Sequence, residues 1–245
     1  MENRDLITLW VLRDKRAEQN KHKSLKYLGE DYLKYKKMVV ILDKVLGQIS
    51  NQYSLMVEHI DGRDVIIESE QRKRFESVLS SFVIGLTSNE RSIIESDYVQ
   101  ASCLLRQELE TLSQLRHILR GTEVDGETPK RNNIEKYLKN VYRELCALTH
   151  VSEFSSINDL TSTSLEGGSS LVLPLRSDCL ATYSDLILKA LFSIHIILVK
   201  KVISELLSYV SDYINPKLSQ DIETEELFSS LGEMEKYVRE LTKNG

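Results

Sequence analysis

From Leu28 to Ile60 the apolar residues Leu28, Tyr32, Tyr35, Val39, Leu42, Leu46, Ile49, Tyr53, Met56 and Ile60 recur at alternating steps of four and three without a slip. That spacing is a heptad seam, and it predicts a helix of about 33 residues and about 50 Å that lies along an equally long neighbour or a second copy of itself. Asp61-Gly62 is read as its stop. Few breakers follow, because the 245 residues contain only three prolines and ten glycines, which favours long helices over the many turns of an all-β chain.

The rest of the chain carries helical stripes of the same kind. Phe75, Val78, Leu79, Phe82, Val83 and Leu86 form one, and the capping-box spacing of Thr87-Ser88-Asn89-Glu90 predicts a new helix or a sharp bend after it. A stripe from Tyr98 through Ala101, Leu105, Leu109, Leu112 and Leu119 runs to Gly121, and Asn132 or Asn133 caps a helix with Ile134, Leu138, Val141, Leu145 and Leu148. Residues 152–176, rich in Ser, Thr and Gly, read as a loop or hairpin packed across the bundle, with SSLVLPL as a short strand. Ser177 is taken as the cap of a long apolar helix ending at Asn215-Pro216, and Leu227, Leu231, Met234, Val238 and Leu241 give a last amphipathic helix. The expectation is an all-α, elongated multi-helix bundle with a coiled-coil-like N-terminal helix and an irregular or hairpin insertion near 155–176. An N-terminal long-helix region (1–90) and a helical bundle (91–245) are expected to form one continuous unit, with Trp10, Leu6 and Leu9 docking the N-terminal helix.

Composition narrows the function classes. Cys103, Cys146 and Cys179 are odd in number and widely spaced, so they read as buried thiols rather than a disulfide framework or a metal site. The N-terminal apolar stretch is too short for a signal-peptide core, and the Leu186–Val199 run is interrupted by Lys189 and His195 and is too short to span a bilayer. A cytoplasmic protein with no membrane contact is expected. The formal net charge is −5, yet residues 1–50 hold 11 Lys/Arg against 7 Asp/Glu and residues 201–245 hold 5 against 9. That balance argues against non-specific duplex-DNA binding, which needs many neutralised phosphates, while leaving room for a local RNA site. Gly-rich phosphate loops, HExxH, GxSxG and EF-hand patterns are absent, and neither cofactor nor metal is expected.

Two polar stripes remain as candidate chemistry. Arg106, Glu110, Ser113 and His117 follow at four, three and four residues on one side of a helix, facing one cleft or neighbour. The bland alternative is a helix ion pair with a satisfied Ser and His at the edge of the core. Arg143 and His150, seven residues apart, align to within about 20° on a helix and project away from the Val141 and Leu145 stripe, with Cys146 and Ala147 small enough beside them for a second helix or subunit to approach. His195, inside LFSIHIILV, reads as a hydrogen-bonded core histidine, and His59 and His22 as solvated.

The stretch Arg143-ELCALT-His150 resembles the Arg-(x)4–6-His signature of the HEPN (higher eukaryotes and prokaryotes nucleotide-binding) superfamily, and LLRQELETLSQL followed by YRELCALTH looks like a poorly characterised bacterial branch related to it, over roughly residues 98–200. A second match to the signature, Arg16-AEQNK-His22, is set aside because its two side chains would stand about 120° apart on a helix in a charged surface run. The resemblance implies a helical bundle, often a homodimer, and a metal-independent ribonuclease of a toxin–antitoxin or antiviral system. RNA and a protein partner or antitoxin would then be its partners. In that reading His150 is the acid or base for a 2′-hydroxyl attacking the adjacent phosphate, Arg143 clamps the phosphoryl oxygens, and Glu110 or Arg106 orients them or the substrate. The competing expectation is a non-catalytic helical interaction or scaffold protein that binds a partner, or itself, through its long helices.

Overall fold

The structure is a computed structural model that describes residues 3–52, 57–66, 69–124, 126, 127, 129, 131–149, 162–164, 170–172, 183–214, 217 and 222–241. It is an all-α bundle with two small hairpins. Helix α1 spans Asn3–Gln52 and is kinked at Gly29; a hairpin of β1 (Val57–Ile60) and β2 (Arg63–Ile66) follows, then α2 (Glu70–Ile94), α3 (Tyr98–Leu119) and, after a 3-10 turn at Arg131–Asn133, α4 (Lys136–Thr149). A second hairpin pairs β3 (Ser162–Ser164) with β4 (Ser170–Val172), and α5 (Asp185–Tyr209), extended by a π-helical turn at Val210–Ile214, leads to α6 (Glu225–Ser230) and α7 (Gly232–Leu241).

Helix α5 is the axis of the bundle. It is apolar around its whole circumference, from Leu188 through Ile196, Leu198 and Val202 to Leu206, and α1, α2, α3 and α7 all pack on it. Helices α2 and α3 form an antiparallel pair joined by a short turn in which Ser96 takes a positive φ of 68°. Phe75 of α2 stacks on Tyr209 of α5 with ring centroids 4.2 Å apart, and Leu105, Leu109, Leu112 and Leu115 of α3 are fully enclosed. Helix α3 ends where the sequence places its stop: Thr122 N–H donates to the His117 carbonyl and Gly121 N–H to that of Ile118, with Gly121 at φ 61°, which is a Schellman closure.

Several expectations are corrected. The heptad helix does not run to Ile60; α1 ends at Gln52, and Asp61 and Gly62, at φ 49° and 75°, form the two-residue turn of the β1–β2 hairpin. An Asp-Gly pair between short β-prone runs makes the primed turn whose twist matches its strands, so the local preference overrides the continuing 4-3 pattern. The buried line of α1 is Leu28, Tyr35, Met38, Leu42, Val45 and Ile49, with Tyr32, Val39 and Leu46 at its margin.

No break follows Leu86. Helix α2 runs straight through Thr87-Ser88-Asn89-Glu90, because Asn89 and Glu90 spend their polar atoms across the bundle, on His195 and on the Tyr32 and Tyr35 hydroxyls, rather than on the backbone. The cap of α5 is Ser184, whose hydroxyl accepts from Ile187 N–H at 3.4 Å; Ser177 lies outside the described residues. The last helix is divided at Leu231 into α6 and α7. Cys103 is exposed and Cys146 half-buried, so neither is a core thiol, and Cys179 lies outside the described residues. Trp10 does not dock, being 61% exposed, and the side chains of Leu6 and Leu9 lie outside those described. How residues 152–176 meet the bundle also falls outside the described side chains. Among the described residues, no helix is long and apolar enough to cross a membrane.

Candidate functional site

Helix α4 turns Leu138, Val141, Tyr142 and Leu145 inward against α3 and leaves Arg143 and Glu144 facing outward. Within α3 Arg106 Nε donates to Glu110 Oε1 at 3.1 Å, and across that contact the Tyr142 hydroxyl donates to the same oxygen at 2.6 Å. The Arg106 guanidinium sits 5.8 Å from the centre of the Tyr142 ring, within cation–π range. Burial, together with the hydrogen bond and charge of Glu110, pushes the Tyr142 phenol up to about 12, so it stays protonated and donates throughout the neutral range. Arg106 is held above its ordinary value, chiefly by its bond to Glu110.

The structure therefore brings Arg106 and Glu110 together, joined by Tyr142, and places Arg143 elsewhere. Arg143 stands about 100° around α4 from Tyr142, its side chain 56% exposed, with Nη2 and Nε donating to Glu144 Oε1 at 3.1 and 3.2 Å. An exposed ion pair between adjacent residues is weak and gives way readily to a phosphate. Thr149, the last residue of α4, donates from Oγ1 to the Cys146 carbonyl at 3.1 Å; His150, the proposed acid or base, lies outside the described residues.

The first polar stripe is split. Ser113 is buried, and His117, also buried, bonds through Nδ1 to Thr122 Oγ1 at 2.8 Å, where it ties down the end of α3. Arg106 and Glu110 alone remain at the surface of that stripe.

A polar group that the sequence reading did not assemble lies in the core. His195 of α5 is fully enclosed and its Nδ1 meets Glu108 Oε2 of α3 at 3.0 Å and Asn89 Nδ2 of α2 at 3.3 Å, while Tyr35 of α1 packs its ring 5.1 Å from the imidazole. Asn89 Oδ1, Glu108 Oε1 and His195 Nε2 are buried there without a hydrogen-bond partner. A cavity of about 20 Å³ between α2 and α3 touches Asn89 and Glu108, which is room for a single water and no more. Only the core placement of His195 was legible; its partners were hidden because Asn89 carried a cap signature and Glu108 sits beside the leucine stripe.

A larger cleft of about 340 Å³ opens between α1, α5 and α7, with Asp31, Lys34, Lys189, Glu233, Tyr237 and Glu240 on its walls. Among the described residues, no group of three or more His, Cys, Asp or Glu is arranged to hold a metal ion. Fold and site together define an all-α bundle with a polar face on α3 and α4. No protein-family model, curated protein or solved structure matches the chain.

Proposed function

We propose that this chain is a HEPN-like, metal-independent ribonuclease, acting in the bacterial cytoplasm as a toxin or antiviral defence effector. The observation that supports the reading is the exposure of Arg143 on the outer face of α4, paired with its neighbour Glu144, one residue away from a tyrosine anchored to Arg106 and Glu110. Arg143 is the phosphate clamp and His150 the acid or base. His150 takes the proton of a 2′-hydroxyl as that oxygen attacks the adjacent phosphorus, the bond to the 5′-oxygen breaks, and the proton is returned to that leaving oxygen, giving a 2′,3′-cyclic phosphate and a 5′-hydroxyl. Glu110 and Arg106 act at one remove, fixing α4 through Tyr142. A homodimer would close the groove from the outside.

The test is RNA integrity and growth in cells expressing the wild type beside His150→Ala, with equal folding checked by circular dichroism. Loss of RNA degradation and of growth arrest only in the variant supports the nuclease. Equal behaviour of the two removes it.

A second reading has its own observation. The exposed Trp10, Val11 and Leu12 on α1 suit a helical interaction or scaffold protein that uses its long helices to hold a partner or a second copy.

A further inference from the structure

Residues 10–15 are exposed on every side, including Trp10 (61%), Val11 (59%) and Leu12 (46%), and Asn20 is the first buried residue of α1 among the described side chains. Three consecutive residues cover more than half of a helix circumference, so no face of this turn lies against the protein. Trp10 lies about 15 Å along the helix from Asn20. A short isolated helix is marginal in water and most helices in proteins are held by packing of an apolar face, yet the turn of residues 10–15 has no such packing. This one offers apolar side chains with nothing on them.

Asn20 and Ser24 root the projection: Ser24 Oγ donates to the Ile94 carbonyl at 2.8 Å and Asn20 Nδ2 to that of Glu95 at 3.4 Å, so α1 is pinned to the end of α2. Just beyond the root, α7 lies beside α1 around a cleft lined by Asp31, Glu233 and Glu240 and by Lys34, Lys189 and Lys236. Charge is divided between these two regions. Residues 10–27 hold six Lys/Arg against two Asp/Glu, while residues 223–240 hold six Asp/Glu against two Lys/Arg, with Glu225, Glu226, Glu233 and Glu240 exposed.

We infer that the projecting segment of α1 docks a second copy of this chain, antiparallel, so that each basic tip lies on the acidic α6–α7 face at the root of the other. The reach fits. Residue 13 lies 16 residues before the bend at Gly29, about 24 Å along a helix, so two projections crossing near residue 22 bring each Arg13 and Lys15 to the partner's bend, beside the cleft that holds Glu233 and Glu240. Leu33, 61% exposed, supplies the apolar surface for the arriving Trp10. The contact is isologous: both copies give a tip and receive one, which closes a dimer and leaves nothing open for a filament. Two such projections alone would repel by charge, and the acidic face removes that repulsion. The inference rests on the interaction reading above and not on the nuclease reading.

The experiment is sedimentation equilibrium of the full chain over a wide concentration range. Wild type dimerises; Arg13→Glu/Lys15→Glu and Glu233→Lys/Glu240→Lys each weaken dimerisation by about tenfold or more, and an equimolar mixture of the two restores it, because each then meets its opposite charge in the other. Trp10→Glu, at a position outside the bundle, abolishes the dimer without changing the circular dichroism of the core. A monomeric wild type, variants that dimerise like wild type, or a mixture that fails to recover overturns the inference. So does binding of wild type to anionic lipid vesicles with no self-association. A dimer indifferent to all these substitutions removes this surface while leaving interaction through another face standing, and none of these outcomes depends on RNA cleavage.

Discussion

His195 and Glu108 form a fully enclosed pair in the centre of the bundle, with Nδ1 3.0 Å from Oε2 and side chains 0% and 6% exposed. The contact joins α5 to α3 at the level where Asn89 of α2 and Tyr35 of α1 also meet. Four helices are thus registered on one polar point. Removing one member leaves the other buried and unpaired, which costs about 3 kcal/mol or more. Glu108→Ala is expected to lower the urea midpoint accordingly. The combined Glu108→Leu/His195→Leu variant should lose less than the sum of its single changes, because no unpaired polar group remains. Additive losses in that double-mutant cycle would show that the two side chains do not depend on each other.

A second polar layer ties the C-terminal helices down and makes stability depend on acid. Arg116 donates to Glu205 at 2.7 Å, to the Asn133 carbonyl and to Glu135, while Lys201 reaches Glu135 at 2.9 Å and Lys200 and Arg239 reach Glu235 at 3.1 and 2.8 Å. Burial pushes both Glu135 and Glu235 upward, but the hydrogen bonds from these cations outweigh it and hold each carboxyl at about 2. A carboxyl depressed in the folded state favours folding above its unfolded value of 4.5, and that contribution is lost as the pH falls towards 2. Urea titrations at a series of pH values should therefore show stability falling between about pH 4.5 and pH 2. The decline should be shallower in Glu135→Gln/Glu235→Gln. An unchanged slope would place the acid sensitivity in other carboxylates.

Gly29 is the point at which α1 changes direction. Its φ of 45° and ψ of −113° lie outside the regions open to residues with a Cβ, and the space around it is empty, so the restriction comes from the backbone alone. The bend lets the segment before it reach Ile94 and Glu95 while the segment after it packs on α5. Gly29→Ala is expected to cost about 1–3 kcal/mol, read as a lowered midpoint. Because the alternative for alanine is a straight helix, the hydrogen bonds of Asn20 and Ser24 should be lost with it. Faster amide exchange at residues 20–28 would report that loss, and wild-type exchange and stability would mean that the bend does not depend on glycine.

What the sequence could and could not reveal follows from where each signal is physically encoded. The apolar circumference of α5 and the leucine stripe of α3 are set by local periodicity, so both were legible, as was the closure at Gly121, where the chain needs a positive φ. Asn89 and Glu90 misled for the opposite reason. A residue three before a glutamate has the same spacing whether it caps its own helix or bonds to another one, and only the distant Tyr32, Tyr35 and His195 decide which. Asp61-Gly62 marks a break in either setting, but the flanking 4-3 pattern conceals that it turns a hairpin rather than ending a helix. At the candidate site, helical spacing found Arg106 with Glu110 and set Arg143 on an outer face. It could not supply Tyr142, whose role depends on the register between α3 and α4.

Tyr142 offers a way to separate support from chemistry. Its hydroxyl donates to Glu110 at 2.6 Å and so fixes the turn of α4 that carries Arg143. Tyr142→Phe removes that bond and leaves Glu110 its bond from Arg106, at a cost to stability of about 1 kcal/mol. A positioning role predicts that RNA cleavage falls through kcat while the apparent affinity for RNA is kept, and that the pH profile keeps its shape. If cleavage in this variant equals that of the wild type, the α3–α4 contact is structural only.

Arg143 makes a different demand, because a phosphate clamp acts through charge and its removal is visible in the salt dependence of binding. Each phosphate contact on a single strand contributes about 0.7 to the slope of log affinity against log salt. Arg143 is 56% exposed and paired with the Glu144 carboxylate, an exposed ion pair weak enough to exchange for a phosphate. Binding of a short single-stranded RNA, measured by fluorescence anisotropy across a salt series, should be weaker for Arg143→Ala, with a slope smaller by about 0.7. Arg143→Lys should keep the slope, since it keeps the charge, yet lose cleavage, since an ammonium cannot grip two phosphoryl oxygens in one plane as a guanidinium does. Glu144→Gln should strengthen binding by freeing the clamp. If all three variants match the wild type in slope and affinity, Arg143 carries no phosphate, and the nuclease reading loses the residue on which it most depends.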